Sequence, residues 1–169
     1  MSALLLLVGV AMIWDIRQRR IPNRFVVVGA ALGILCQFLA QGPGGVPAAF
    51  LGLLAGMAIL MPGYLLGFTG AGDVKLMGAV GSFVGPVSAL AVGCFSLLAG
   101  GLVALCIACL SARSASPWQR YGLMARTLVT TGRPIYIAPR DGEAMGQRFP
   151  FGIAIFLGTS AWLGWQWVH

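Results

Sequence analysis

Two aspartates stand out in this sequence because carboxylates are scarce in it and are costly near a membrane. The 169 residues include only four Asp and Glu. Asp15 follows the first apolar run, and Asp73 lies in the segment GAGDVK at positions 70–75, between two other apolar runs. A charged acid beside or inside a membrane asks for a functional reason. Two such acids on one side of a membrane could act as a pair, which is a minimal apparatus for hydrolysing a peptide bond with water.

The composition places these acids in an integral membrane protein. Hydrophobic residues make up 59% of the chain and charged residues only 9%, and the mean hydropathy is +0.90. A soluble domain carries about a quarter charged residues, so this chain could not shield its apolar surface from water. Its length allows one compact helical bundle and little else. We therefore expect residues 1–169 to form a single all-α membrane domain.

Six apolar runs are candidate transmembrane helices. They cover residues 4–14, 25–40, 48–68, 74–84, 87–110 and 151–168, and Pro62-Gly63 interrupts the third run. Gly85-Pro86 marks a turn between the fourth run and the fifth, because one straight helix over 74–110 would be about 55 Å long in a ~30 Å core. The fourth helix is then too short to span alone. We expect its cytoplasmic end to lie below the membrane surface, in a cavity that water can reach.

The eleven basic residues predict the orientation of the bundle. Four arginines follow the first run, Lys75 lies in the third loop, and six arginines lie in the fifth loop, residues 111–148. Six crossings place these three loops on one face, which the positive-inside rule makes cytoplasmic, with both termini outside. The basic charge is therefore a topology signal. Nucleic-acid binding is disfavoured, because no aromatic residues alternate with the basic ones on a soluble surface.

Two segments with aromatic residues and one pair of cysteines are expected to have structural rather than catalytic roles. Residues 118–129 could form an amphipathic helix on the cytoplasmic surface or a flexible loop, and both alternatives stay open. Trp162, Trp165 and Trp167 are expected to form an aromatic belt near the outer surface. Cys106 and Cys109 form the only CxxC motif, but it lies in an apolar run with no histidine nearby. We expect them to be packing residues and the chain to bind no metal.

Each aspartate also has a structural alternative to a catalytic role. Asp73 could cap the fourth helix by accepting hydrogen bonds from its free N–H groups, and the GxGD segment taken alone favours that reading. Asp15 could mark the membrane interface, paired with Arg17 or Arg19. However, an Asp at a helix C-terminus opposes the helix dipole, so we expect another group to maintain Asp15 there. The next residues, Ile21-Pro22-Asn23, predict an extended turn followed by an N-cap.

These segments together resemble the type IV prepilin peptidases, which are membrane aspartyl proteases with a GxGD signature. The resemblance rests on Asp15 followed by RRIPN at 19–23, on GAGDVKL at 70–76, and on RFPFGIA at 148–154. It covers nearly the whole chain, and the combined spacing is more specific than any one motif. It implies that Asp15 and Asp73 are catalytic. Gly70 and Gly72 are expected to support the active-site loop, because glycine lets peptide and water approach the main chain.

The resemblance implies an aspartic endopeptidase of the bacterial inner membrane, active at the cytoplasmic face. Its substrate would be a prepilin or pseudopilin with a short basic leader, its other partner the lipid bilayer, and it would need no cofactor. The chain is most similar to the short peptidases of tight-adherence (Flp-type) pilus systems, since it has no region with the paired CxxC motifs of the larger, methylating members. Lys75 could contact the substrate, although a lysine snorkelling to the interface is favoured.

Other classes of protein stay open at this point. Presenilin-like proteases share GxGD, but Trp14 rather than Tyr precedes Asp15, and the chain is too short. A transporter or proton-coupled channel would relay ions through acids in the middle of helices, within repeated halves. Both acids are instead predicted at cytoplasmic helix ends, and no clear repeat is visible. A noncatalytic membrane assembly factor is the remaining alternative, although both proposed catalytic aspartates are present.

Overall fold

The computed structural model describes residues 2–18, 22–66, 69–111, 126–127, 130 and 151–168, and this part of the chain is helical without any strand. The helices whose bounds lie in the described residues are, in chain order, α1 Ser2–Gln18, α2 Asn23–Gln41, α3 Gly45–Leu65, α4 Ala71–Val84, α5 Pro86–Ser111 and α6 Phe151–Val168. A 3-10 turn at Gly42–Gly44 joins α2 to α3. The predicted all-α class is confirmed for the described residues.

The chain divides into two compact units, one formed by residues 1–101 and 150–169 and the other by residues 102–149. The first unit contains both aspartates. In the second unit the structure describes the end of α5, together with Arg126, Thr127 and Thr130. There the Thr130 hydroxyl donates to the Arg126 carbonyl at 2.8 Å. The rest of the segment 118–129, for which a surface helix was one prediction, lies outside the described residues.

Contacts along the first unit show the helix directions: α1 and α6, α3 and α4, and α5 and α6 are antiparallel, whereas α2 and α4 are parallel, with contacts at Asn23–Lys75 and Ala30–Ser82. The pairs that face each other are Gly9–Phe156 and Asp15–Gly152 for α1 and α6, Gly52–Gly81 and Gly56–Met77 for α3 and α4, and Ser96–Gly158 and Gly100–Phe151 for α5 and α6. This alternation brings the C-terminal end of α1 and the N-terminal ends of α2, α4 and α6 to the same end of the unit. The two aspartates both lie at that end.

The chain reverses direction between α4 and α5 at Gly85. Its φ is 80°, in the left-handed region that glycine adopts without strain. Pro86 follows as the first residue of α5, where a missing N–H costs no helical hydrogen bond. The turn predicted at Gly85-Pro86 is confirmed. On the neighbouring helix, the buried Gln37 amide donates to the Phe83 carbonyl at 3.0 Å, which satisfies an acceptor near the end of α4.

Helix α4 lies at the centre of this packing. A Cβ on Gly52 of α3 would overlap the Gly81 carbonyl oxygen, and a Cβ on Gly81 would overlap that of Gly52. Small residues allow such close approach of helix backbones in membranes. Apart from the exposed Lys75, α4 is therefore buried from Asp73 to Ser82. The helix that carries Asp73 is held firmly along its length.

The outward faces of the helices expose many large apolar side chains. Examples that are at least two-thirds exposed are Leu6, Leu39, Leu65, Val87 and Trp167. Two stretches of the described chain are long and apolar enough to cross a membrane, Asn23–Leu65 and Pro86–Cys106. The first of them is 43 residues long and contains both α2 and α3. Exposed apolar faces next to internally satisfied helical backbone are typical of proteins surrounded by lipid.

Pro62 of α3 and Trp162 of α6 differ from the sequence predictions. Pro62 does not interrupt the third helix, which continues to Leu65. The proline removes one helical N–H, but its own carbonyl still accepts from the Leu66 N–H at 3.0 Å. Trp162 is only 6% exposed and does not belong to an aromatic belt. It lies on the face of α6 that packs inward, together with Ile155 and Thr159. Trp167 is exposed, as a belt residue would be.

Candidate active site

Asp73 lies in the first turn of α4, and its carboxylate is tied to the start of that helix. Its Oδ2 accepts a hydrogen bond from the Gly70 N–H at 3.0 Å. Gly70, with an extended backbone, is the N-cap of α4, and Asp73 is the third residue of the helix. Asp73 therefore does cap the start of α4 through its side chain, although it does not occupy the N-cap position that the structural alternative gave it. A carboxylate in the first turn is favoured by the positive end of the helix dipole. The bond occupies Oδ2 and does not use Oδ1.

The segment before Gly70 is fixed to the end of α3. The Leu66 N–H donates to the Pro62 carbonyl at 3.0 Å, and the Thr69 N–H donates to the Gly63 carbonyl at 3.2 Å. The Thr69 hydroxyl reaches the Leu60 carbonyl at 3.5 Å. These bonds place the Gly70 N–H where it can orient the Asp73 carboxylate.

Asp15 lies in the last turn of α1, and its partner comes from the far end of the chain. Its Oδ2 accepts a hydrogen bond from the Gly152 N–H at 2.9 Å, across 137 positions in sequence. Gly152 is the second residue of α6, so the carboxylate lies at a helix N-terminus, where free N–H groups and the helix dipole stabilise negative charge. This interaction offsets the unfavourable position of Asp15 on its own helix. Arg17, one of the two predicted partners, is exposed.

Gly152 leaves room for the Asp15 carboxylate that no other residue would leave. A Cβ on Gly152 would lie 2.8 Å from Asp15 Oδ2 and 3.1 Å from Asp15 Cβ. Gly152 belongs to the RFPFGIA motif, but the sequence alone did not predict a role for it. The available signal was a glycine at the start of the last helix, combined with the expectation that Asp15 needs a group to maintain it.

The structure brings the two aspartates into one site. Asp15 is 7% exposed and Asp73 is 8% exposed. Helices α1 and α4 contact each other, and the Asp15 carboxylate lies close enough for its charge to act on Asp73. Across the described ranges, no three His, Cys, Asp or Glu side chains converge. The candidate site thus consists of two buried carboxylates, each of which accepts a hydrogen bond from one backbone N–H.

The remaining predicted site residues, Gly72 and Lys75, both lie in α4. Gly72 is the second residue of the helix, whereas the glycines with positive φ in the described chain are Gly42 and Gly85. Gly72 therefore does not have a left-handed backbone. Lys75 is exposed, and its Nζ donates to Asn23 Oδ1 at 3.0 Å. The loop-support role of Gly72 and the substrate contact of Lys75 stay predictions.

The prediction that Asn23 caps α2 is wrong. The N-cap is Pro22, with an extended backbone and no side chain to accept a hydrogen bond, and Asn23 is the first residue of the helix. The Asn23 side chain instead accepts from Lys75 of α4. A local turn motif cannot reveal this contact, because the partner lies 52 positions away in sequence.

The described residues thus form helices with exposed apolar outer faces, and they carry a buried pair of carboxylates at one end. The family model of the type IV leader peptidase family matches residues 2–107, which include both aspartates. This chain belongs to the type IV leader peptidase family, and the resemblance drawn from the motifs is confirmed. Comparison with curated proteins and with solved structures gave no significant match. Membership indicates a membrane-associated peptidase.

We expect Gly152→Ala to abolish most leader-peptidase activity. The added methyl group would displace the Asp15 carboxylate, and a shift of about an ångström in a catalytic group can cost on the order of 100-fold in rate. Gly164→Ala is a matched control in the same helix, because a Cβ there has no atom within 4 Å. The measurement is cleavage rate together with thermal unfolding of the purified proteins in detergent. Equal cleavage by the two variants would contradict the close contact between Gly152 and Asp15.

Proposed function

We propose that this chain is an aspartic endopeptidase embedded in the bacterial inner membrane, where it removes the short basic leader of a prepilin or pseudopilin. The observation that carries the proposal is the buried Asp15–Asp73 pair, contributed by two helices and oriented by the N–H groups of two helix starts. Membership of the leader peptidase family supplies the reaction class. The pair supplies the chemistry for it.

The proposed reaction uses the two carboxylates in different protonation states. Buried neighbouring carboxylates do not ionise together easily, so the pair holds one proton between them and titrates as a unit. The ionised member takes a proton from water, whose oxygen then attacks the carbonyl carbon of the scissile peptide. The protonated member donates a hydrogen bond to the carbonyl oxygen as charge develops there. Collapse of the tetrahedral intermediate transfers a proton to the departing amine, and the pair returns to its starting state.

The backbone contacts of the site suit this proposed chemistry. Each carboxylate has one oxygen engaged by a backbone N–H, from Gly152 for Asp15 and from Gly70 for Asp73. A fixed donor orients the carboxylate without transferring its own proton, so the remaining oxygen can face water or substrate. Removal of bulk water from around the pair also strengthens the hydrogen bonds made during the reaction. No cofactor takes part in the proposed reaction.

We propose six membrane crossings with both termini outside. The alternating helix directions support this arrangement, and α2 and α3, with 19 and 21 residues, are each long enough to cross a ~30 Å core. Helix α4 has 14 residues, about 21 Å, and is therefore shorter than the core. Its N-terminal end, with Asp73, would lie below the cytoplasmic surface. That depth suits a cut at the junction between a basic leader and a hydrophobic helix.

The substrate is proposed to be a prepilin of the Flp type or a related pseudopilin. Such a protein has a short basic leader, a small residue at the cut and then a hydrophobic helix that enters from the bilayer. The chain would act in pilus assembly or protein secretion, with lipid and prepilin as its partners and no nucleic acid. An ion relay is less well supported, because both aspartates lie in terminal turns of their helices.

We expect Asp15→Asn and Asp73→Asn each to abolish processing while expression and membrane insertion stay near normal. Asparagine preserves the shape of the side chain but cannot exchange the proton, so each change removes one of two required roles. The measurement is leader removal from a coexpressed Flp-type prepilin, scored on an immunoblot. Cleavage at a near wild-type rate by either variant would overturn the assignment.

Asp141→Asn and Glu143→Gln are the matched controls for that experiment. They remove the other two carboxylates of the chain, which belong to the basic fifth loop and lie outside the described residues. Both variants should process the prepilin normally. Loss of processing in these controls as well would show that the assay does not report on the Asp15–Asp73 pair.

The proposed topology predicts which positions an impermeant reagent can reach. Once the native cysteines are replaced, cysteines at Gly44 and Ser88 should react with a thiol reagent added outside intact cells. Gly44 lies in the turn between α2 and α3, Ser88 follows the turn at Gly85, and both turns lie at the proposed outer end. A cysteine at Ser114, which lies outside the described residues, should react only after the cells are opened. Labelling of the Ser114 position in intact cells would contradict the six-crossing arrangement.

A further inference from the structure

We propose that the first turn of α2 is a brace that sets the separation of Asp15 and Asp73, with Asn23 and Phe25 as positioning residues. The inference rests on the proposed function only for its catalytic consequence. The geometric part concerns the distance between α1 and α4 and can be tested without any substrate. Two contacts carry the inference, one to each of the helices that hold an aspartate.

The first contact joins α2 to α1 beside Asp15. The rings of Trp14 and Phe25 lie 5.6 Å apart between centroids, with 57° between their planes. Tilted aromatic pairs at this distance attract each other beyond the effect of the apolar area they bury. Trp14 immediately precedes Asp15 in the last turn of α1, so a shift of this ring relative to α2 would also move the backbone that carries the carboxylate.

The second contact joins α2 to α4 beside Asp73. Lys75 Nζ donates to Asn23 Oδ1 at 3.0 Å. Lys75 lies in the same turn of α4 as Asp73. A donor with a full positive charge gives a stronger hydrogen bond than a neutral one, although the exposure of both side chains reduces its contribution to folding. This bond therefore holds the start of α4 in place more than it stabilises the protein as a whole.

The two contacts are made by different sides of α2. Residues two apart in a helix do not face each other, so Asn23 and Phe25 point in different directions, one toward α4 and the other toward α1. Helices α1 and α4 also pack against each other directly, and α6 packs against both, whereas α2 packs extensively on α4 and meets α1 at only a few residues. The Trp14–Phe25 pair is one of these few contacts, and it lies in the same turn of α2 that reaches α4 through Asn23. The first turn of α2 therefore adds a link between the two helices beside the two carboxylates.

The expected effects separate positioning from simple stability. Loss of one exposed hydrogen bond costs little folding free energy, but displacement of a carboxylate by a fraction of an ångström to an ångström can lower the rate about tenfold or more. Asn23→Ala and Phe25→Leu should thus each reduce kcat about tenfold with KM nearly unchanged. The melting temperature should stay nearly unchanged for Asn23→Ala and should fall only slightly for Phe25→Leu, which loses the ring pair. Lys75→Met should match Asn23→Ala, and the double variant should lose no more than either single one. Lys75→Arg should retain most activity, because it keeps a charged donor.

The direct test is a distance measurement in the full chain, reconstituted in nanodiscs after replacement of the native cysteines. Spin labels at Ile16 of α1 and Ala71 of α4, both exposed positions, report the separation of the two helices by electron paramagnetic resonance. The parent protein should give a short, narrow distance distribution. Asn23→Ala and Phe25→Leu should broaden and lengthen it. Arg24→Ala is the matched control, because Arg24 is an exposed residue of the same turn, and it should leave the distribution unchanged.

Unchanged distances in both brace variants would overturn the inference, as would equal broadening in Arg24→Ala. A fall in kcat that simply parallels a fall in melting temperature would also contradict it, since that result describes a structural role alone. The kinetic arm uses a Flp-type prepilin with a basic leader. If the parent protein fails to cleave any such prepilin, the proposed function fails while the distance measurement still decides whether the brace exists.

Discussion

The hydrogen bond from the Gly152 N–H to the Asp15 carboxylate is the constraint on which the site depends. It stabilises an acid at the C-terminal end of α1, where the dipole of its own helix is unfavourable, by placing it at the N-terminus of α6. It requires antiparallel packing of the first and last helices and a glycine at the point of contact. One polar contact in an apolar protein thus links the orientation of a carboxylate to the arrangement of the chain ends.

Asp73 is held in a different way, by local structure on a rigid helix. Its carboxylate bonds to the N-cap of its own helix, and glycine contacts with α3 bury that helix along most of its length. Asp15 belongs to a helix that packs mainly against α6, and α6 also contacts α4. The proposed brace at the start of α2 adds to this packing two side-chain contacts, one to each helix that carries an acid.

The sequence was sufficient to predict the features that composition and local pattern determine. The all-helical class, the turn at Gly85 and the family followed from apolar runs, turn residues and motif spacing. The contacts of Asp15 with Gly152 and of Lys75 with Asn23 did not, because each joins residues far apart in sequence, and no local pattern identifies such partners. The burial of Trp162 was missed for a related reason, since the inward face of α6 depends on which helices surround it. The need of Asp15 for a stabilising group was the one long-range feature that local physics anticipated.

The central claim is that Asp15 and Asp73 form one site, and cross-linking of cysteines at the two positions tests it most directly. With the native cysteines replaced, the protein in membranes carrying Asp15→Cys and Asp73→Cys should be cross-linked rapidly and nearly completely by a short reagent with two thiol-reactive groups. A matched protein carrying Asp15→Cys and Lys75→Cys should not, because Lys75 is exposed and points away from the buried pair. Two thiols that are each modified singly but never bridged would contradict the account.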